Sequence, residues 1–259
     1  MIPWAKLGSA LAPDGTEMSL WQRGDEMVVR AGGHDLMSNR VHGSEELLAE
    51  HGCAGLGAGA CVLIGGLGVG FTLRAALRML PAKARVVVAE LIPTMVEWVR
   101  GPLGGSKLLD DKRVSIDTRD VAVVIREATT RFDAILLDTD NGPRAPILAA
   151  NRWLYGEAGL AASARALRPG GRLAIWSATD ERGFEAQLTR AGFEPRTEQV
   201  RAHRAGPGGR GSGARQAIFL GTLNATPATP ATSKPDQAAA VSGAGTPSRS
   251  APGTPRRSR

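Results

Sequence analysis

Glu90, Asp120 and Asp138 each stand at or just beyond the end of an apolar run, where a folded α/β chain collects chemistry-bearing side chains. Ahead of them, residues 61–70 read Cys-Val-Leu-Ile-Gly-Gly-Leu-Gly-Val-Gly and lead into Phe71-Thr72-Leu73-Arg74-Ala75-Ala76-Leu77, which is helical in composition. A buried strand, a glycine turn and a helix N-terminus in that order let a ligand approach bare backbone close to a partial positive charge. Gly66, Gly68 and Gly70 give GxGxG, whereas the dinucleotide fingerprint GxGxxG needs glycine where Phe71 sits, so a nicotinamide or flavin cofactor is not expected. Gly104-Gly105-Ser106-Lys107 has the wrong order for a phosphate-binding P-loop. Glu90 lies 20 positions after Gly70, the spacing at which a carboxylate reaches ribose hydroxyls. Both features predict a ligand that contains a nucleoside.

Asp120 suits an adenine amino group and equally suits a helix N-cap, and the sequence leaves the two roles level. After the run Ala134-Ile135-Leu136-Leu137 comes Asp138-Thr139-Asp140-Asn141-Gly142-Pro143, which delivers two acids to the sheet edge. Acids there can accept a proton from an attacking nucleophile or stabilise a cationic centre, although Asp, Asn, Gly and Pro also build ordinary turns. His34, His42, His51 and His203 have no metal-ligand spacing, no metal is expected, and no Gly-x-Ser-x-Gly elbow is present. Tyr155 and Trp176 are candidates for a pocket wall or for the core.

These residues need a frame, and the frame is legible. Apolar runs at 61–65, 85–89, 113–117, 132–137 and 172–177 alternate with helical segments, which predicts a doubly wound, Rossmann-like α/β sheet of about seven strands. Two strand-like runs, 194–204 and 216–223, joined by a Gly/Arg-rich loop, predict an antiparallel hairpin that closes the sheet. Residues 16–41 read as β-structure, with a hairpin turning at Arg23-Gly24-Asp25, and residues 44–50 as a short helix capped by Ser44. The expected organisation is an N-terminal β extension and first helix over 1–50, a nucleoside-binding domain over 51–223, and a disordered basic tail over 224–259.

The chain has 259 residues, of which 42% are hydrophobic and 4% aromatic, enough for one good core. Its formal charge of +7 is concentrated in the tail, which carries +4. Basic charge without interleaved aromatic residues makes nucleic acid an unexpected partner. Two cysteines and no secretory signal predict a cytoplasmic protein, and the longest apolar stretch, 60–73, holds four glycines and is too short to span a membrane.

Taken together, residues 16–223 resemble the spermidine synthase-like branch of the class I S-adenosylmethionine-dependent methyltransferase superfamily. The resemblance rests on Gly65 to Gly70, on Ala89-Glu90-Leu91-Ile92-Pro93, on Arg131-Phe132-Asp133-Ala134-Ile135-Leu136-Leu137-Asp138, and on Leu154-Tyr155 followed by Arg168-Pro169-Gly170-Gly171. It implies that S-adenosylmethionine or its decarboxylated form is the donor substrate, held by Gly65, Gly66, Gly68, Gly70, Glu90, Leu91, Asp120 and Asp138. Asp138 and Asp140 would be the catalytic acids, Glu46 and Tyr155 would contact the acceptor, and the N-terminal β region leaves a homodimer open. Polyamine synthases place an acid where this chain has Gly68, and they space the two acids after the fourth strand differently from Asp138 and Asp140. On that ground the expected reaction is methyl transfer to a small-molecule acceptor, with an amine as one class. The alternative is aminopropyl transfer in polyamine biosynthesis, and a further one is a non-catalytic nucleoside-binding module whose basic tail binds a partner.

Overall fold

The computed structural model describes residues 2–139, 142–143, 151–203 and 212–224. Asp140, most of the Gly/Arg-rich loop and the predicted tail beyond Asn224 therefore lie outside the described residues. Among the described residues no helix is long and apolar enough to cross a membrane.

The chain opens with β1 (Ala5–Leu11), β2 (Glu17–Arg23), β3 (Glu26–Ala31) and β4 (His34–Ser38), which form an antiparallel sheet in that order. The predicted hairpin is β2 and β3, with Arg23 opposite Glu26. β1 was not foreseen, because it is exposed along most of its length and becomes a strand by pairing with β2 rather than through an apolar face of its own. The sheet buries Met18, Leu20 and Val29 against Met95 and Trp98.

Next come α1 (Gly43–Cys53), α2 (Phe71–Met79), α3 (Pro93–Arg100), α4 (Ser106–Leu109), α5 (Val121–Glu127), α6 (Arg152–Tyr155), α7 (Glu157–Ala166) and α8 (Phe184–Arg190). Ser44 does not cap α1: it lies inside the helix, which starts after His42, and its hydroxyl donates to Glu45. These helices flank a sheet of β5 (Cys61–Gly65), β6 (Arg85–Ala89), β7 (Val114–Asp117), β8 (Phe132–Leu137), β9 (Leu167–Ser177), β10 (Phe193–His203) and β11 (Ser212–Leu223). Its order is β10-β11-β9-β8-β5-β6-β7. β5 to β9 run parallel, whereas β11 is antiparallel to β9 and to β10, so the doubly wound sheet with a closing antiparallel hairpin is the observed fold.

The apolar runs owe their continuity to burial on both faces. Leu63, Val87, Ile135 and Leu137 pack on one face with Val124 of α5 and Leu160 of α7. Their neighbours Val62, Ile64, Val88 and Leu136 pack on the other with Leu48 of α1 and Leu73 of α2. Truncating a fully buried member such as Ile64 or Leu136 to Ala costs about 2–5 kcal/mol. β5 lies between β8 and β6, so the loops leaving these strands part above it and open a crevice at their carboxyl ends.

Candidate active site

Glycine makes that crevice. Gly66, Gly68 and Gly70 hold φ of 89°, 50° and 91°, a left-handed region in which a Cβ is strained. At Gly66 a Cβ would also stand 2.3 Å from the carbonyl oxygen of Asp138, so the turn and the end of β8 touch backbone to backbone. The Gly66 N–H donates to Ala89 at 2.9 Å, and the Asp138 N–H to Gly65 at 2.9 Å, which ties the ends of β5, β6 and β8 together.

Five acids among the described residues line the resulting cavity, whose volume is about 220 Å³: Glu45, Glu90, Asp120 and Asp138, with Asp14 at its outer wall. Glu90 is only 7% exposed. Its two oxygens accept from the Leu67 N–H at 2.9 Å and the Ile92 N–H at 2.8 Å, so the carboxylate clamps the glycine turn to the start of α3. Burial pushes its pKa up, and the surrounding backbone N–H groups pull it back. The Gly68 and Leu91 N–H groups also face the carboxylate, so any ligand hydroxyl would share its acceptor directions with the backbone. Asp120 fills one of the two roles left open by the sequence, capping α5 by accepting from the Ala122 N–H at 2.7 Å, and it also lines the cavity.

Asp138 accepts from the Thr72 hydroxyl at 2.5 Å. Burial, and then the charge of Glu45, push its pKa up to about 7 despite that hydrogen bond. Glu45 is likewise raised by burial, with the Ser44 hydroxyl at 2.6 Å working against the rise. Two carboxylates, one on α1 and one just past β8, thus share one recess and resist ionising together. Above them, Met18, Leu36, Met37 and Ser38 of the N-terminal sheet and Asp14 of the β1–β2 turn complete the wall.

Of the donor-side residues singled out from sequence, Gly66, Gly68, Glu90, Leu91, Asp120 and Asp138 line this cavity, while Gly65 and Gly70 shape the turn behind it. The two acceptor-side positions, Glu46 and Tyr155, do not line this cavity. Glu46 turns away to Arg78 at 3.3 Å and His42 at 3.4 Å, and it is Glu45 that lines the cavity. Tyr155 is buried in the core at 3% exposure, and its hydroxyl meets the Thr139 hydroxyl at 3.1 Å. Helical periodicity separates the two glutamates: Glu45 falls on the face of Leu48, Ala49 and Gly52, which the fold buries. Thr72 and Asn151 were missed, because a hydroxyl or an amide carries no pattern of its own, whereas Trp176, open between wall and core, lines the cavity.

No family model and no curated protein sequence matches the chain. Among solved structures, the spermidine synthase from Thermotoga maritima is 18% identical, with a TM-score of 0.65 over 86% of this chain and 74% of that one. A spermidine synthase in complex with the transition state analogue AdoDATO is 20% identical, with the same TM-score and coverage. At these identities the likeness shows the fold, a class I methyltransferase-like fold of the spermidine synthase kind.

Proposed function

We propose that the chain is a transferase that takes a carbon group from a sulfonium donor of the S-adenosylmethionine type and delivers it to a small amine. Aminopropyl transfer from the decarboxylated donor, the alternative in the sequence reading, now stands ahead of methyl transfer. The observation that carries this order is the pair Glu45 and Asp138, two acids in one recess that are short of positive charge. The likeness to spermidine synthases supports the same choice.

In this reading Glu90 holds the ribose, Asp120 the adenine, and the backbone from Gly66 to Gly68 the remainder of the donor. An ammonium acceptor settles between Glu45 and Asp138, where its charge relieves their repulsion. Asp138 takes one proton, since a base whose pKa lies near 7 is matched to that task at neutral pH. The freed nitrogen lone pair attacks the carbon next to sulfur, the C–S bond breaks, and its electrons leave on a neutral thioether. Alignment supplies most of the rate, because the sulfonium is already a good leaving group.

Methyl transfer remains the second reading because Gly68 occupies the place of the acid that, in polyamine synthases, grips the donor's terminal amine. Calorimetric titration with the intact and the decarboxylated donor, followed by product analysis with a small diamine, separates them. Preference for the decarboxylated donor and an elongated amine product are expected. Preference for the intact donor with a methylated product overturns the order, and binding of neither leaves the non-catalytic module.

A further inference from the structure

The opposite end of the sheet carries a second recess, of about 790 Å³, at the amino ends of the parallel strands. Five cations line it: Arg85 at the start of β6, Lys112 and Arg113 before β7, Arg131 before β8, and Arg168 in β9. Two are neutralised within the fold. Arg113 grips Asp111 at 2.8 Å, and Arg168 meets Asp133 at 2.5 Å. The acid on the wall, Glu127, is held by Arg119 at 2.9 Å. Arg131 stands 5.0 Å over the Phe132 ring and faces Asp117, but both oxygens of that carboxylate are already bound by Arg119. Among the described residues, Arg85 and Lys112 have no ion pair, and Arg131 has only this shared acid.

The recess also presents the hydroxyl-bearing Ser115, Thr129 and Thr130. Thr130 is the one non-glycine residue with positive φ, at 46°, among those described. Its N–H donates to Arg165 at 2.8 Å and that of Arg131 to Ala166 at 2.8 Å, so the loop that carries both is pinned to the end of α7. A residue kept in that conformation by its surroundings marks a place where backbone position matters.

We propose that this recess is a second binding site, for a small phosphate-bearing anion with at least two phosphoryl groups. Guanidinium forks and an ammonium around hydroxyls are the donor set that phosphate oxygens take. The three under-compensated cations call for more than one negative charge. The size falls within the range of small-ligand sites, and among the described residues no aromatic ring lines the wall for base stacking, which favours a compact ligand over a nucleic-acid strand.

The test is calorimetric titration of the full chain with tripolyphosphate, with sulfate as a single-centre control, at about 0.15 M ionic strength. Tripolyphosphate should bind one to one and more tightly than sulfate. The triple variant Arg85→Gln/Lys112→Gln/Arg131→Gln should bind it about tenfold more weakly or worse, with unchanged circular dichroism. The three side chains are exposed, and should the triple variant misfold, each single variant is expected to weaken binding by itself. Binding that the substitutions leave untouched assigns the anion to other basic residues and overturns the proposal. So does failure of tripolyphosphate to bind, or tighter binding of a single-stranded oligonucleotide.

Discussion

The two ends of the parallel sheet carry opposite charge. β6 runs from Arg85 to the doorstep of Glu90, β7 follows Arg113 and ends at Asp117, and β8 runs between Arg131 and Asp138. Part of this polarity is structural. Glu90 and Asp120 sit at the starts of α3 and α5, and Arg113 donates to the carbonyls of Leu77 and Leu80 at the end of α2, so both ends answer helix dipoles. The excess over that pattern differs in kind between the two ends. At the carboxyl end, Glu45 and Asp138 are pressed together in a recess where burial discourages their charge. At the amino end, Arg85, Lys112 and Arg131 are exposed to solvent. On the proposed reading, the carboxyl end moves a proton and accepts a cation, whereas the amino end holds an anion.

Asp138→Asn is the sharpest way to break that division. It keeps an acceptor for Thr72 but removes the base, so transfer should slow about 10²- to 10⁴-fold in single-turnover kinetics while donor affinity holds. Arg131→Gln, at the other end of the same strand, should leave the rate within about twofold. Equal losses from the two would mean that the ends do not divide the work.

Glu90→Ala comes next. It removes a carboxylate that braces the glycine turn and orphans the Leu67 and Ile92 N–H groups, so donor affinity should fall about a hundredfold by calorimetry. Unchanged affinity would remove the ribose contact and with it the nucleoside reading of the carboxyl end.

Adjacent glutamates give a finer cut. Glu45→Gln should raise the acceptor KM about tenfold, because the ammonium loses one of two charged partners. Glu46→Gln should stay within about twofold, because that side chain pairs with exposed Arg78 and with His42 on the helix surface. The reverse order would restore the sequence-based assignment of Glu46 to the acceptor.

This pair also marks where the sequence stops being legible. The runs that became β5, β6 and β8 were readable because burial on both faces leaves few polar letters, and Glu90, Asp120 and Asp138 followed from their positions at or just past the strand ends. Ser44-Glu45-Glu46 was harder, since one residue's rotation around a helix decides which acid enters the recess. β1 was invisible because its stability comes from a partner strand. The cation cluster could not be found at all from spacing: Arg85, Arg131 and Arg168 meet only because β5, β6, β8 and β9 lie parallel in a particular order.

The smallest expected effect tests the charge shortage itself, without any ligand. The Asp138 carboxyl titrates near 3.8 in an unfolded chain and near 7 in the fold, so between those values the folded state binds the extra proton. Stability that this group contributes is complete only where it stays protonated, and it declines as pH rises from about 4 to about 7. Glu90 is raised by burial and adds a slope of the same sign, so the comparison has to be between Asp138→Asn and the parent chain. The variant cannot ionise, and it should melt higher than the parent near pH 8, with the difference shrinking toward pH 4. A small diamine added to the parent should close the same gap at high pH, because the ammonium then supplies the charge that the recess lacks. If the variant melts lower at high pH, the fold already compensates an ionised Asp138, the carboxyl end needs no cation, and its contrast with the amino end fails.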